Sequence, residues 1–157
     1  MQPDKQVYLF DFDGTLVDSM PTYVSVMLRI LDEVLTYEVD ENDLSGVHIA
    51  HQIGLPEEQV FKTLVARGDK TGPIVLVIPC AMELDLKKCA AVSGNKRVEL
   101  IAVKELLGLT GYIRGGCSPV GMKKKLPTFV HSTAVNYEKF AVSGGARGIQ
   151  LFLSPKD

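Results

Sequence analysis

The chain has 157 residues, 46% hydrophobic and 23% charged, with a mean hydropathy of +0.13. That is the profile of one ordinary folded domain, and it excludes a disordered tail, a collagen-like chain and a disulfide-stapled miniprotein. The formal charge of −2 joins two unlike parts: residues 1–60 hold twelve acids against two bases, net −10, and residues 61–157 hold seven acids against fifteen bases, net +8. The basic part points either to a polyanionic partner, nucleic acid or a phosphate ligand, or to a solvated surface.

From Gln6 to Phe12 the run QVYLFDF is apolar and breaks at Asp13-Gly14-Thr15, as a buried strand ending in a tight loop would. A helix follows, capped by Asp18 or Ser19, with Val24, Met27, Leu28, Leu31 and Val34 at helical spacing. Leu35 to Val39 reads as a short strand. Ser45 can cap a helix that runs through Ile53 and stops at Gly54, and Pro56 opens one more turn. Val60 to Ala66 and Ile74 to Ile78 are strands joined by hairpin-turn residues 69–73. Leu84 to Val92 is a helix capped by Asp85, Arg97 to Ile101 a strand, Val103 to Leu107 a short helix, and Gly108 to Gly121 a glycine-rich loop. Strands Thr128 to His131 and Phe140 to Ser143 precede a turn over 144–148 into the last strand, Ile149 to Leu153. Many strands with short interspersed helices predict a mixed-sheet α/β or α+β domain, not a regular βαβ array.

No membrane span is expected, because the longest middle stretch without charge or histidine, Thr71 to Met82, is too short to cross a bilayer. The first twenty residues carry four aspartates instead of a basic, apolar leader, so a cytoplasmic location is expected. Cys80, Cys89 and Cys117 form no C-x-x-C pair and are odd in number, which predicts buried thiols and neither a disulfide framework nor a zinc site.

Asp11 and Asp13 stand two residues apart at the end of the first strand, so their carboxylates share a face. Such a pair can divide phosphoryl chemistry, one attacking phosphorus and the other donating a proton, with magnesium held by the first. FDFDGTLVDS, Phe10 to Ser19, resembles the first motif of the haloacid dehalogenase superfamily, which implies a nucleophile at Asp11 and a general acid at Asp13. The similarity covers Gln6 to Glu33. That superfamily needs a later acidic pair to complete the magnesium site, and the seven acids after Glu58 include no adjacent pair and no G-D-x-x-x-D spacing. Residues 1–34 are therefore expected to pack on the main domain as a strand-helix segment without phosphoryl chemistry. A magnesium-dependent phosphatase at Asp11 and Asp13 is the alternative.

Lys62 lies inside an apolar strand, where it either snorkels at an edge or presents a point charge to a phosphate, a carboxylate or a polarised carbonyl. Two loops rich in glycine, Gly111 to Pro119 and Ser143 to Gly148, can bring backbone N–H groups close to a negative ligand, though glycine pairs also make ordinary turns. With the run Lys123-Lys124-Lys125 they describe a site for a phosphate-bearing substrate.

The segments GLPEEQVFKTLV (Gly54 to Val65), ELDLKK (Glu83 to Lys88), TGYIRGGCSP (Thr110 to Pro119), KKKLPT (Lys123 to Thr128) and VSGGARG (Val142 to Gly148) are similar to the bacterial Cys-tRNA(Pro) deacylases, the YbaK type of the YbaK/ProX editing-domain family. The resemblance runs from about Leu35 to the C-terminus. It implies a domain over 35–157 with a mixed, curved β-sheet surrounded by short helices, the fold of synthetase editing domains. It further implies hydrolysis of cysteine wrongly attached to proline tRNA, in trans beside prolyl-tRNA synthetase, with no metal or other cofactor. Lys62 matches the family's essential lysine, Gly115 and Gly116 its substrate loop, Ser143 its loop serine and Tyr37 a pocket tyrosine. Thr63, Ser118, Gly144 and Gly145 complete the implied substrate contacts. In that family the thiol of the bound cysteine attacks its own ester and leaves as a thiolactone, so the protein supplies orientation and electrostatic stabilisation. The sequence agrees in assembling no Ser-His-Asp set. A non-catalytic tRNA- or synthetase-binding module is a second alternative. Among the departures from the family, His131 stands where an acidic or amide residue is usual, and Cys80 where a small or polar one is.

Three further features have two readings each. His48 and His51, at i and i+3, form a helix-surface pair or two ligands of a metal that lacks a third. Lys123 to Lys125 form a solvated turn or contact acceptor-stem phosphates, and Tyr112 is a core aromatic or stacks on the terminal adenine.

Overall fold

A computed structural model describes residues 34–155. The predicted strand and helix, with Asp11 and Asp13, lie outside the described residues except at Val34, predicted at helical spacing, which instead opens a strand opposite Leu151. The described elements are β1 (Val34–Thr36), α1 (Gly46–Ile53), β2 (Phe61–Gly68), β3 (Gly72–Pro79), α2 (Leu86–Val92), β4 (Val98–Leu100), α3 (Val103–Thr110), β5 (Thr128–Val130), β6 (Phe140–Ser143) and β7 (Ile149–Leu153). Single 3-10 turns occupy Glu57–Gln59 and Ser132–Asn136. This is the mixed α/β arrangement expected. No described helix is long and apolar enough to cross a membrane.

The β2–β3 hairpin is the spine, antiparallel from Phe61 opposite Pro79 to Gly68 opposite Gly72. β4 adds antiparallel to the far end of β2, and β5 adds parallel to β3, giving the order β4-β2-β3-β5. A second, antiparallel sheet, β1-β7-β6, meets the first at a parallel bridge between Val60 and Ala141. Strand alternation sorts the apolar side chains onto two faces. Phe61, Val75 and Val77 pack with Ala134, Phe140 and Val142 on one face, where the Phe61 and Phe140 rings lie 4.8 Å apart at 52°. Ala66, Ile74 and Leu76 face Cys89 and Ala90 of α2 on the other. Each buried valine or larger side chain contributes about 1.5–3 kcal/mol, so the β-branched run of β3 anchors the domain. Beneath α1, a third cluster joins Ala50, Val60, Cys80 and Ala141 across the two sheets.

The helix signals work as read at α1 and α2. Ser45 Oγ accepts the His48 N–H at 3.2 Å and Gly54 closes α1 at φ 69°, while Asp85 accepts the Lys87 and Lys88 N–H groups. Of the boundaries that differ from expectation, three have a plain physical cause. β1 ends at Thr36, and Tyr37 instead donates its N–H to the Gly148 carbonyl at 2.9 Å. β2 extends to Gly68, because β4 pairs with Ala66 to Gly68 and lengthens the ladder. α3 does not stop at Leu107 but runs through Gly108 to Thr110. A glycine ends a helix when it turns left-handed, and here Gly111 does so, at φ 82°, returning its N–H to the Leu107 carbonyl.

Candidate active site

β4 stops at Leu100, so only the last three residues of β2 are covered on that edge. A cavity of about 420 Å³ lies along the uncovered part, with Phe61 to Val65 as its wall. The Val65 carbonyl already points to this edge, where it accepts the Ile101 N–H at 3.2 Å. Antiparallel alternation puts the N–H and C=O of Thr63 on the same edge, opposite the side that pairs with β3. The first turn of α1, Val103 and Leu106 of α3, the loop at Arg114, Gly115 and Cys117, and Ser143 with Gln150 close the remaining sides.

Lys62 lies on the wall, half-buried, on the strand face shared with Leu64 and Ala66. Among the described residues that line the cavity, Lys62 and Arg114 carry the formal charges, and no aspartate, glutamate or histidine lines it. A recess walled by apolar side chains and two cations concentrates positive potential and favours anionic or polarised oxygen. Ser143 and Gln150 are register partners across β6 and β7. Ser143 Oγ, Gln150 Oε1 and Thr63 Oγ1 are buried without a hydrogen-bond partner among the described residues. Buried polar atoms without a protein partner are uncommon, and they collect at functional sites.

The thiols are not poised to react. Burial pushes Cys117 up to about 11, partly offset by the Thr110 hydroxyl, and burial with the Glu57 charge raises Cys80 although Lys62 works the other way. Both are protonated at neutral pH, and no imidazole or carboxylate stands in the cavity to activate a hydroxyl. All three cysteines are free and buried, as expected.

Of the residues singled out in the sequence, Lys62, Thr63, Gly115 and Ser143 line the cavity, whereas Tyr37, Gly116, Ser118, Gly144 and Gly145 do not. The glycines of the two loops let those loops pack on each other. A Cβ on Gly116 would meet the Ala146 backbone at 3.2 Å, and one on Gly145 the Tyr112 ring at 2.9 Å. Arg147 fastens the junction, donating Nε–H to the Arg114 carbonyl at 3.1 Å and pairing with Glu41 at 2.6 Å. Ser118 is buried and accepts the Val120 N–H, and Tyr112 donates its hydroxyl to the Val120 carbonyl at 2.6 Å, so both brace the loop. His131 caps a 3-10 turn, its Nδ1 accepting the Thr133 N–H at 3.3 Å. His48 lies near Asp40 and Asp43, and His51 contacts Glu57 at 3.0 Å. No group of three or more ligating side chains that could hold a metal occurs among the described residues.

The site residues that sequence reasoning passed over are Gln150, Cys117 and Arg114. Gln150 carried a usable signal, since the predicted turn over 144–148 places it beside Ser143. Cys117 and Arg114 carried none beyond their place in a glycine-rich loop.

Residues 45–157 match the family model of the aminoacyl-tRNA editing domain. A candidate Cys-tRNA(Pro)/Cys-tRNA(Cys) deacylase of Enterococcus faecalis, EbsC, is 52% identical over 116 residues, which are 74% of this chain and 71% of that protein. A proline–tRNA ligase of Thermodesulfovibrio yellowstonii is 30% identical over 86 residues, 54% of this chain and 15% of the ligase. A solved structure of a candidate trans-editing enzyme for prolyl tRNA synthetase shares the fold, with a TM-score of 0.71 at 24% identity over 90% of each chain. The family read from the five motifs is borne out, and so is the fold that came with it.

Proposed function

The chain belongs to the aminoacyl-tRNA editing domain family, and from that premise we propose that it hydrolyses Cys-tRNA(Pro) in trans, with the aminoacyl ester seated in the Lys62 cavity. One observation carries the reading: the cavity presents two cations and free strand-edge polar groups, but no described base and no activated nucleophile. Such a site suits a substrate that brings its own nucleophile. The cysteinyl thiol loses its proton to solvent, and its sulfur attacks the ester carbonyl carbon. The bond from that carbon to the ribose oxygen breaks, the ribose hydroxyl regains a proton from solvent, and water then opens the four-membered thiolactone to free cysteine. The chain's part is electrostatic. Lys62 Nζ and the Thr63 N–H serve as donors to the developing oxyanion, each such donor contributing about 2.7–4 kcal/mol in sites of this kind. Lys62 and Arg114 together favour the substrate thiolate.

Correctly charged Pro-tRNA(Pro) is spared because proline has no side-chain nucleophile. The similarity to a segment of a proline–tRNA ligase supports prolyl-tRNA synthetase as the working partner and the cytoplasm as the place of action. Incubating the chain with proline tRNA charged with cysteine, alanine or proline tests this. Release of cysteine alone is expected. No release of cysteine would overturn the function, and equal release of alanine would overturn the substrate-assisted step.

A further inference from the structure

The last arm of the loop after α3 forms a second cavity of about 290 Å³, lined by Lys123, Lys124 and Lys125 with Pro119, Met122 and Thr128. We infer that this cavity is a phosphodiester-binding subsite, which grips the RNA backbone while the ester occupies the Lys62 cavity; the inference rests on the deacylase reading above. No acidic residue lines it. All three lysines are exposed, and none pairs with an acid among the described residues, whereas Arg67, Arg97, Arg147 and Lys88 each do. The run is thus a local, uncompensated positive charge.

Its backbone is held in place. The Lys123 N–H donates to the Thr110 carbonyl at 2.9 Å, the Thr128 hydroxyl to the Leu126 carbonyl at 3.1 Å, and the Val75 N–H to the Pro127 carbonyl at 2.8 Å. An anchored run loses less entropy on binding than a mobile one. The same loop serves both cavities, through Arg114, Gly115 and Cys117 at the first and through Pro119 and the lysine run at the second. The Tyr112–Val120 hydrogen bond ties the two arms together. Lysine ammonium groups are compact point charges with no fork for reading a base edge, so the chemistry they recognise is the phosphate backbone and not its sequence.

The test is Lys123→Gln/Lys124→Gln/Lys125→Gln in the full chain. Filter binding of uncharged proline tRNA is measured across a salt series, beside cleavage of 3′-cysteinyl adenosine. Loss of three phosphate contacts predicts a fall of about 2 to 3 in the slope of log affinity against log salt, from about 0.7–0.9 per contact. Cleavage of the small ester, which has no backbone to grip, should match the unsubstituted chain. An unchanged salt slope would overturn the subsite. So would an equal loss on the small ester, or a defect seen only with prolyl-tRNA synthetase present, which would make the lysines a protein contact. Failure of the unsubstituted chain to cleave the small ester or the tRNA would instead overturn the deacylase reading.

Discussion

Lys62 is the residue on which position and chemistry coincide: an ammonium set into an apolar strand, on the one stretch of β2 that β4 leaves uncovered. Cys80 and Cys117 beside it, and Cys89 of α2, are inert by burial, and this has a direct readout. Iodoacetamide at pH 7.5 is predicted to leave Cys80, Cys89 and Cys117 unmodified in the folded chain and to label all three after denaturation, as mass spectrometry would show. Rapid labelling of Cys117 in the folded state would reopen the question of an enzyme nucleophile. At this scale the sequence was partly legible. Lys62 stood out because a charge in an apolar run demands a reason, and Ser143 because it opens a glycine turn. Gln150 and Cys117 did not, because their place in the cavity depends on cross-strand register and on how two loops pack.

Among the elements, α3 shows how a glycine misleads. Gly108 reads as a helix stop, yet it sits inside the helix with open space where a Cβ would be. Gly108→Ala is therefore predicted to stabilise the fold by about 0.5–1 kcal/mol, measured by urea unfolding. At the hairpin turn, Asn95 accepts the Lys70 and Thr71 N–H groups at 2.9 and 3.0 Å and donates to Ser93 and Thr71, tying β2–β3 to the end of α2. Asn95→Ala strips partners from that buried knot and should cost about 1–3 kcal/mol without touching deacylation. The exposed carboxylates that brace element ends set an acid limit. Asp69 is held below its ordinary value chiefly by the Arg97 N–H, and Asp85 chiefly by the Lys88 N–H. A folded-state value depressed in this way stabilises above the unfolded value and is lost as pH falls through the folded one. The urea midpoint should thus decline below about pH 4, and decline less steeply in Asp69→Ala and Asp85→Ala. Caps and strands were legible because Ser45, Asp85 and the β-branched runs act locally. The ends of β1, β2 and α3 were not, because partner strands and a left-handed glycine decide them.

Across the whole molecule, the net charge of −2 conceals the division that matters. The stretch from residue 61 onward, net +8, supplies every cation that lines the two cavities: Lys62 and Arg114 at the first, and the Lys123–Lys125 run at the second. Composition alone left a polyanionic partner and a solvated surface equally open; the fold gathers those cations around two recesses served by one loop. Two glycine loops far apart in sequence, locked together at Gly116, Gly145 and Arg147, hold that loop against the Lys62 cavity. Under the proposed function, Lys62 acts on the ester within this frame. Single-turnover deacylation of Cys-tRNA(Pro) by Lys62→Ala, with its urea midpoint measured alongside, tests it most directly. A rate loss of about 100-fold or more at an unchanged midpoint is expected, and a rate equal to that of the unsubstituted chain would rule out this role for Lys62.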